Sequence, residues 1–180
     1  KIINNQIKQI EKLVNEFSDF ARMPKPIFKN NDLIVLMKDN IKLLNELDTS
    51  INISLENNIK KMIFKSDREQ LGRVFFNLIK NSIESIHQKL EKVTNFNKNI
   101  TIELNDNDNH ISLIINDTGI GFNNLNTNVK DILNPYFTTK KKGTGLGLSI
   151  VNKIINDHGG NIEFMSKNDG AKIRIIFLKQ

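Results

Sequence analysis

Residues 66–90 read SDREQLGRVFFNLIKNSIESIHQKL, and their periodicity decides the fold. Leu71, Val74, Phe75, Leu78, Ile79, Ile83, Ile86 and Leu90 recur at helical steps, which predicts a long helix with one broad apolar side. Ser66, with Glu69 three residues on, reads as the capping box that opens it. Asn77, Asn81, Glu84 and Gln88 fall on a stripe away from that side. Asparagine is a mediocre helix former, so two amides one turn apart ask for a reason. Either they belong to a solvated polar face of an asparagine-rich chain, or they are hard-oxygen ligands. An amide carbonyl can bind Mg²⁺ beside phosphate oxygens and water.

Outward from this helix the pattern is mixed. Residues 32–47 predict a shorter helix with Leu33, Leu36, Met37, Ile41 and Leu44 on one side. Alternation predicts a strand over 51–55, a short one near 62–65, and a hairpin of 100–105 with 111–115 across an Asn-Asp-rich turn. A last helix starts near Gly145 and stops at His158-Gly-Gly160, where glycine takes the left-handed conformation. Strands over 161–166 and 171–178 close the chain. At the other end, Ile3, Ile7, Ile10, Val14, Phe17 and Ala21 follow an a/d spacing, the seam of a coiled coil or bundle. Met23-Pro-Lys-Pro26 stops that helix, because proline lacks an amide donor and biases its predecessor to extended geometry. The expected division is residues 1–26, one helix whose partner is absent or supplied by another chain, and residues 27–180.

Three further motifs carry chemistry. Asp117-Thr-Gly-Ile-Gly121 follows the apolar run 111–115. It is either a plain Asx turn or a carboxylate placed at a strand end to accept a hydrogen bond from the exocyclic amine of adenine. Guanine presents a carbonyl there and would be repelled. Gly143-Thr-Gly-Leu-Gly-Leu-Ser149 precedes the final helix, whose free amides and dipole favour phosphate. It is not a Gly-x-x-x-x-Gly-Lys loop, and it follows no strand as a dinucleotide fingerprint should. Between them runs a loop too long to be an idle connection. It holds Tyr136-Phe-Thr-Thr-Lys140 and reads as a basic lid, with Phe137 as its anchor and Lys140 reaching a phosphate; a polar insertion is the plain alternative. His87, His110 and His158 lack ligand spacing and nucleophile neighbours, so surface or capping roles are expected.

Composition narrows the classes. There is no cysteine, so neither a disulfide nor a thiolate site is available. No apolar run reaches the ~18 residues of a membrane span, and no signal peptide is visible. The chain begins at Lys1, and we read it as an excerpt with any membrane segment upstream. A net charge of +6 invites nucleic acid, but the lysines are scattered, Trp is absent and Tyr136 is the only Tyr, so no nucleic-acid partner is expected. The dense cluster, Lys140-Lys-Lys142, lies beside the glycine motif.

Taken in order, the four motifs read as an ATP site and resemble the catalytic ATP-binding domain of bacterial sensor histidine kinases, over about residues 31–180. The resemblance implies an α/β fold, a two-layer sandwich of a mixed sheet and three main helices, shared with type II topoisomerases, mismatch-repair ATPases and heat-shock chaperones. It implies Asn81 as Mg²⁺ ligand, Asp117, Gly119 and Gly121 at the base, and Phe137, Thr138, Thr139, Lys140, Gly143, Thr144, Gly145, Leu146, Gly147 and Leu148 around the nucleotide, with Asn77 and Lys140 in catalytic positions. The segment 16–26 (EFSDFARMPKP) resembles the end of the second helix of a dimerisation and phosphoacceptor hairpin, most like kinases of the nitrogen-regulation type. The implied partners are ATP, that hairpin, a response-regulator receiver domain and a second copy in the intact kinase. The implied setting is the cytoplasmic part of a membrane-bound kinase. The acceptor histidine would lie outside this chain. Related ATPases carry a glutamate where this chain has Asn77, and an amide cannot take a proton from water. An ATPase module of the chaperone, topoisomerase and mismatch-repair class is the alternative.

Overall fold

In the computed structural model, which describes residues 2–57, 59–122, 129–140, 143–167 and 169–179, helices and strands follow one another in mixed order. They run α1 (Ile2–Ala21), β1 (Lys29–Asp32), α2 (Leu33–Leu47), β2 (Asn52–Glu56), β3 (Ile63–Ser66), α3 (Arg68–Leu90), β4 (Asn99–Asp106), β5 (His110–Asp117), a 3-10 turn (Val129–Leu133), α4 (Gly147–Asp157), β6 (Gly160–Lys167) and β7 (Gly170–Leu178). Five strands form one mixed sheet in the order β2-β4-β5-β7-β6. Only its β2–β4 pair is parallel.

Period-two patterning puts Ile100, Ile102, Leu104, Ile111, Leu113, Ile115, Ile173, Ile175 and Phe177 on one side of the sheet, all buried. The apolar sides of α2, α3 and α4 close over them in a single hydrophobic cluster. Leu71, Val74, Phe75, Leu78, Ile79 and Ile86 of α3 are completely buried, each stabilising by about 1.5–3 kcal/mol relative to exposure. The expected two-layer sandwich of three main helices on a mixed sheet is the fold.

Two local expectations change. The cap of α3 is Asp67, whose Oδ1 accepts from the amides of Glu69 at 3.0 Å and Gln70 at 3.1 Å. Ser66 is buried and ends β3 instead. Its register opposite Lys29 holds it extended, and aspartate caps as well as serine. That register also shows a strand the sequence does not announce. β1 has the sequence KNND, with no alternation to read, yet it pairs antiparallel with β3 as a separate two-stranded sheet. Asn31 Nδ2 secures the pair by donating to the Ser66 carbonyl at 2.7 Å.

His158 has a capping role. Its Nε2 accepts the Asp67 amide at 3.0 Å, which leaves the proton on Nδ1 to reach the Ile154 carbonyl at 2.8 Å. One buried ring thereby joins the end of α4 to the start of α3. The segment after α1 is tied to the same corner. Ile27 donates its amide to Asp67 Oδ2 at 2.8 Å, and Gln70 Nε2 donates to the Pro24 carbonyl at 3.0 Å. Phe20 and Met23 pack partly against the core, whereas Ile7, Ile10, Val14 and Phe17 of the seam are exposed.

Candidate functional site

A cavity of about 540 Å³ opens between the polar stripe of α3, the end of β5, the loop after it and the start of α4. One end is built around Asp117, which is 4% exposed. Its Oδ1 accepts from the amides of Gly119 at 2.9 Å and Ala171 at 3.3 Å, and its Oδ2 accepts from the Ser82 hydroxyl at 3.0 Å. A carboxylate offers about four acceptor positions, so one remains on Oδ2 for a donor entering the cavity. Burial raises the Asp117 pKa above the ordinary 3.8, and the three hydrogen bonds and the nearby Lys167 only partly oppose this.

The close fit here depends on Gly170, at φ 108°, a conformation that side chains rarely adopt. A Cβ on it would come within 1.8 Å of the Asp117 carbonyl oxygen. Gly170 therefore lets the β6–β7 hairpin pass directly behind the Asp117 turn.

The other end gathers the amides, the basic loop and the glycine turn. Asn77, Asn81, Phe137, Thr138, Thr139, Lys140, Gly143, Thr144, Gly145, Gly147 and Leu148 all line the cavity, as do Asp117 and Gly121. Lys140 Nζ donates to Asn81 Oδ1 at 2.9 Å and pairs with the Glu84 carboxylate. That ammonium is a stand-in cation on hard oxygens, so the donor set fits a magnesium ion sharing its shell with phosphates. The Tyr136 amide donates to the Gly145 carbonyl at 3.0 Å, and Tyr136 itself has φ 69°. Loop and glycine turn are thus joined by backbone.

Gly119 and Leu146 are not among the residues that line this space. A Cβ on Gly119 would meet the Ser85 hydroxyl at 2.1 Å, so Gly119 packs against α3. The Leu146 side chain is fully buried in the core. Lys141, Lys142 and the asparagines among residues 123–128 lie outside the described residues.

Among the contributors that sequence reading does not name are Ser82, Gly170, Ala171 and Glu16 of α1, which also lines the cavity. Ser82 carried a signal as the neighbour of Asn81 on the same helix, and Gly170 as part of the turn between the last two strands. Glu84 was visible on the polar stripe, though not as the partner of Lys140.

Residues 66–180 match the histidine kinase-, DNA gyrase B- and HSP90-like ATPase family. The chain belongs to that family.

Within it, a putative sensor histidine kinase NtrY-like of Rickettsia prowazekii (strain Madrid E) is 34% identical over 178 residues, covering 98% of this chain and 28% of that protein. Nitrogen regulation protein NtrY of Azorhizobium caulinodans is 34% identical over 170 residues, covering 93% of this chain and 21% of its own length. The chain therefore spans a minor part of these relatives. Among solved structures, the nucleotide-free catalytic domain of histidine kinase ThkA superposes with a TM-score of 0.70 at 27% identity, covering 85% of this chain and 98% of that one. Histidine kinase ThkA in complex with response regulator protein TrrA reaches a TM-score of 0.77 at 24% identity, covering 99% of this chain and 50% of that one. The fold of this ATPase-family chain is that of histidine kinase catalytic domains.

Proposed function

We propose that the chain is the ATP-binding catalytic part of a sensor histidine kinase, preceded by the end of a dimerisation helix. The observation that carries the reading is the buried Asp117 carboxylate, held by three described donors with acceptor capacity to spare, at one end of a cavity that continues past Asn81 to the glycine turn. In the same pose adenine offers its exocyclic amine to that acceptor, where guanine would place a carbonyl. From the base, the nucleotide would extend along α3, with its phosphates towards Lys140 and the amides before α4. Asn81 Oδ1 would hold Mg²⁺, which neutralises developing phosphate charge when bound. Lys140, displaced from Asn81, would meet a phosphate as a point charge. The γ-phosphoryl would pass to a histidine of the dimerisation hairpin and then to a receiver aspartate of a response regulator.

The names and folds of the relatives support this reading. So does the seam of α1, which suits a bundle partner in a homodimeric kinase. No described helix is long and apolar enough to cross a membrane, so anchoring of the intact kinase would come from other segments. Asn77 lines the cavity where hydrolysis would need a base, which disfavours a freely hydrolysing ATPase. Calorimetric titration with ATP and GTP in magnesium tests the assignment. ATP should bind at least tenfold more tightly, a charged hydrogen bond being worth about 1.5–3 kcal/mol; equal binding would overturn the role of Asp117.

A further inference from the structure

The cavity is not built by residues 27–180 alone. Glu16, near the end of α1, lines it together with Asn77, Asn81, Lys140 and the glycine turn. The Thr144 hydroxyl donates to the Glu16 carboxylate across a separation of 128 residues. Thr144 stands just ahead of α4 (Gly147–Asp157), where unpaired amides and the positive end of the helix favour an anion. A carboxylate is itself an anion, and it can only accept. It therefore has nothing to donate to a phosphate, and it engages the proton that Thr144 would give one.

We infer that Glu16 belongs to the nucleotide site and acts against nucleotide binding. Docked on Thr144, it competes with the phosphates for the glycine turn and repels them as a like charge. The inference rests on the nucleotide reading above and adds to it a residue from the preceding helix. Coupling of this kind is reciprocal. Nucleotide binding weakens the hold of the turn on α1, and a displacement of α1 raises nucleotide affinity by the same factor. The architecture suits such a movement. The segment after α1 is pinned at Pro24 and Ile27 and serves as the pivot, and the seam of α1 is exposed for another partner. A partner that captures the seam and lifts Glu16 from Thr144 would open the site.

The test is calorimetry on the full chain with ATP and with adenosine, in magnesium, for the unaltered protein, Glu16→Gln and Glu16→Ala. Glu11→Gln supplies the same change of charge at an exposed position of the same helix. Both Glu16 variants should bind ATP roughly five- to tenfold more tightly, with the gain shrinking as salt rises. Adenosine, lacking phosphates, should bind all four proteins alike, and Glu11→Gln should match the unaltered chain. Unchanged ATP affinity in the Glu16 variants would overturn the inference alone. Weaker ATP binding would also overturn it, by making Glu16 a helper of the metal or phosphates. An equal gain for adenosine would overturn it in favour of a steric effect. Absence of nucleotide binding in all four proteins would overturn the nucleotide reading itself, and the inference with it.

Discussion

Lys140 Nζ donates to Asn81 Oδ1 across 2.9 Å and pairs with Glu84 one turn further along α3. A cation from the loop thus rests on the amide proposed as metal ligand, so a metal ion there would oppose this position of the loop by like-charge repulsion.

Magnesium with ATP should therefore move the loop, and Tyr136 reports it, being the one Tyr in a chain without Trp. Tyrosine emission should change on adding ATP with Mg²⁺ and much less with either alone. Lys140→Met should remove most of the magnesium-dependent change. It should also weaken ATP binding about tenfold, through loss of a charged phosphate contact. Identical emission changes in the variant would count against the displacement.

Asp117→Asn should separate binding from stability. Burial raises the Asp117 pKa, so the folded chain holds its proton more tightly than the unfolded chain does. Stability then falls as pH rises from 3.8 through the folded pKa, and the whole cost is present above it. Asparagine removes that charge, and its oxygen can still accept from Gly119 and Ala171. At neutral pH the variant should melt higher and lose most ATP affinity. A lower melting temperature would mean that the hydrogen bonds require the charged carboxylate.

His158 gives a pH dependence of opposite sign. Its pKa is lowered, mainly by burial, and its Nε2 must stay unprotonated to accept the Asp67 amide. The stabilisation is complete above the unfolded value of about 6.5 and is lost as pH falls from there through the folded pKa. Melting temperature measured against pH should decline across that window. His158→Gln should flatten the decline, and an unchanged slope would assign it elsewhere. Asp67, whose pKa is lowered by the amides of Ile27, Gln70 and Glu69 despite burial, acts further down: its contribution is lost only below about 3.8.

Gly145→Ala should disable the site through the backbone. Gly145 has φ 71°, and a Cβ there would stand 2.4 Å from the Tyr136 carbonyl carbon. The substitution costs at least about 1 kcal/mol in conformation alone and pushes the loop from the glycine turn. ATP affinity should drop more than tenfold, while circular dichroism keeps the folded signal. Gly147→Ala, whose Cβ meets nothing within 4 Å, should melt at or above the temperature of the unaltered chain.

Incubated with γ-labelled ATP, the chain should neither label itself nor release phosphate appreciably. None of its histidines sits on an acceptor hairpin, and Asn77 cannot activate water. Adding a separate hairpin with an acceptor histidine should produce acid-labile label on that hairpin. Asn77→Glu should raise phosphate release modestly. Rapid release by the unaltered chain would favour the ATPase alternative.

The sequence by itself determined the elements whose information is local. The steps of three and four along α3 specify its buried side and leave Asn77 and Asn81 on another. Alternation specifies β4, β5 and β7, and the clustered glycines mark both turns of the site. These signals survive in one dimension because helix and strand repeat every few residues. The tertiary structure alone decided the rest. β1 paired with β3 although KNND carries no pattern, since a ladder needs only backbone groups brought alongside. Ser82 reached Asp117, Lys140 reached Asn81, Gly170 slid behind the Asp117 turn and Glu16 entered the cavity, over separations of 35, 59, 53 and 128 residues. No periodicity links residues so far apart. Their meeting is set by how three helices close over one sheet and by where α1 lies beside them, and only that arrangement makes an acceptor, a cation and a carboxylate face the same space.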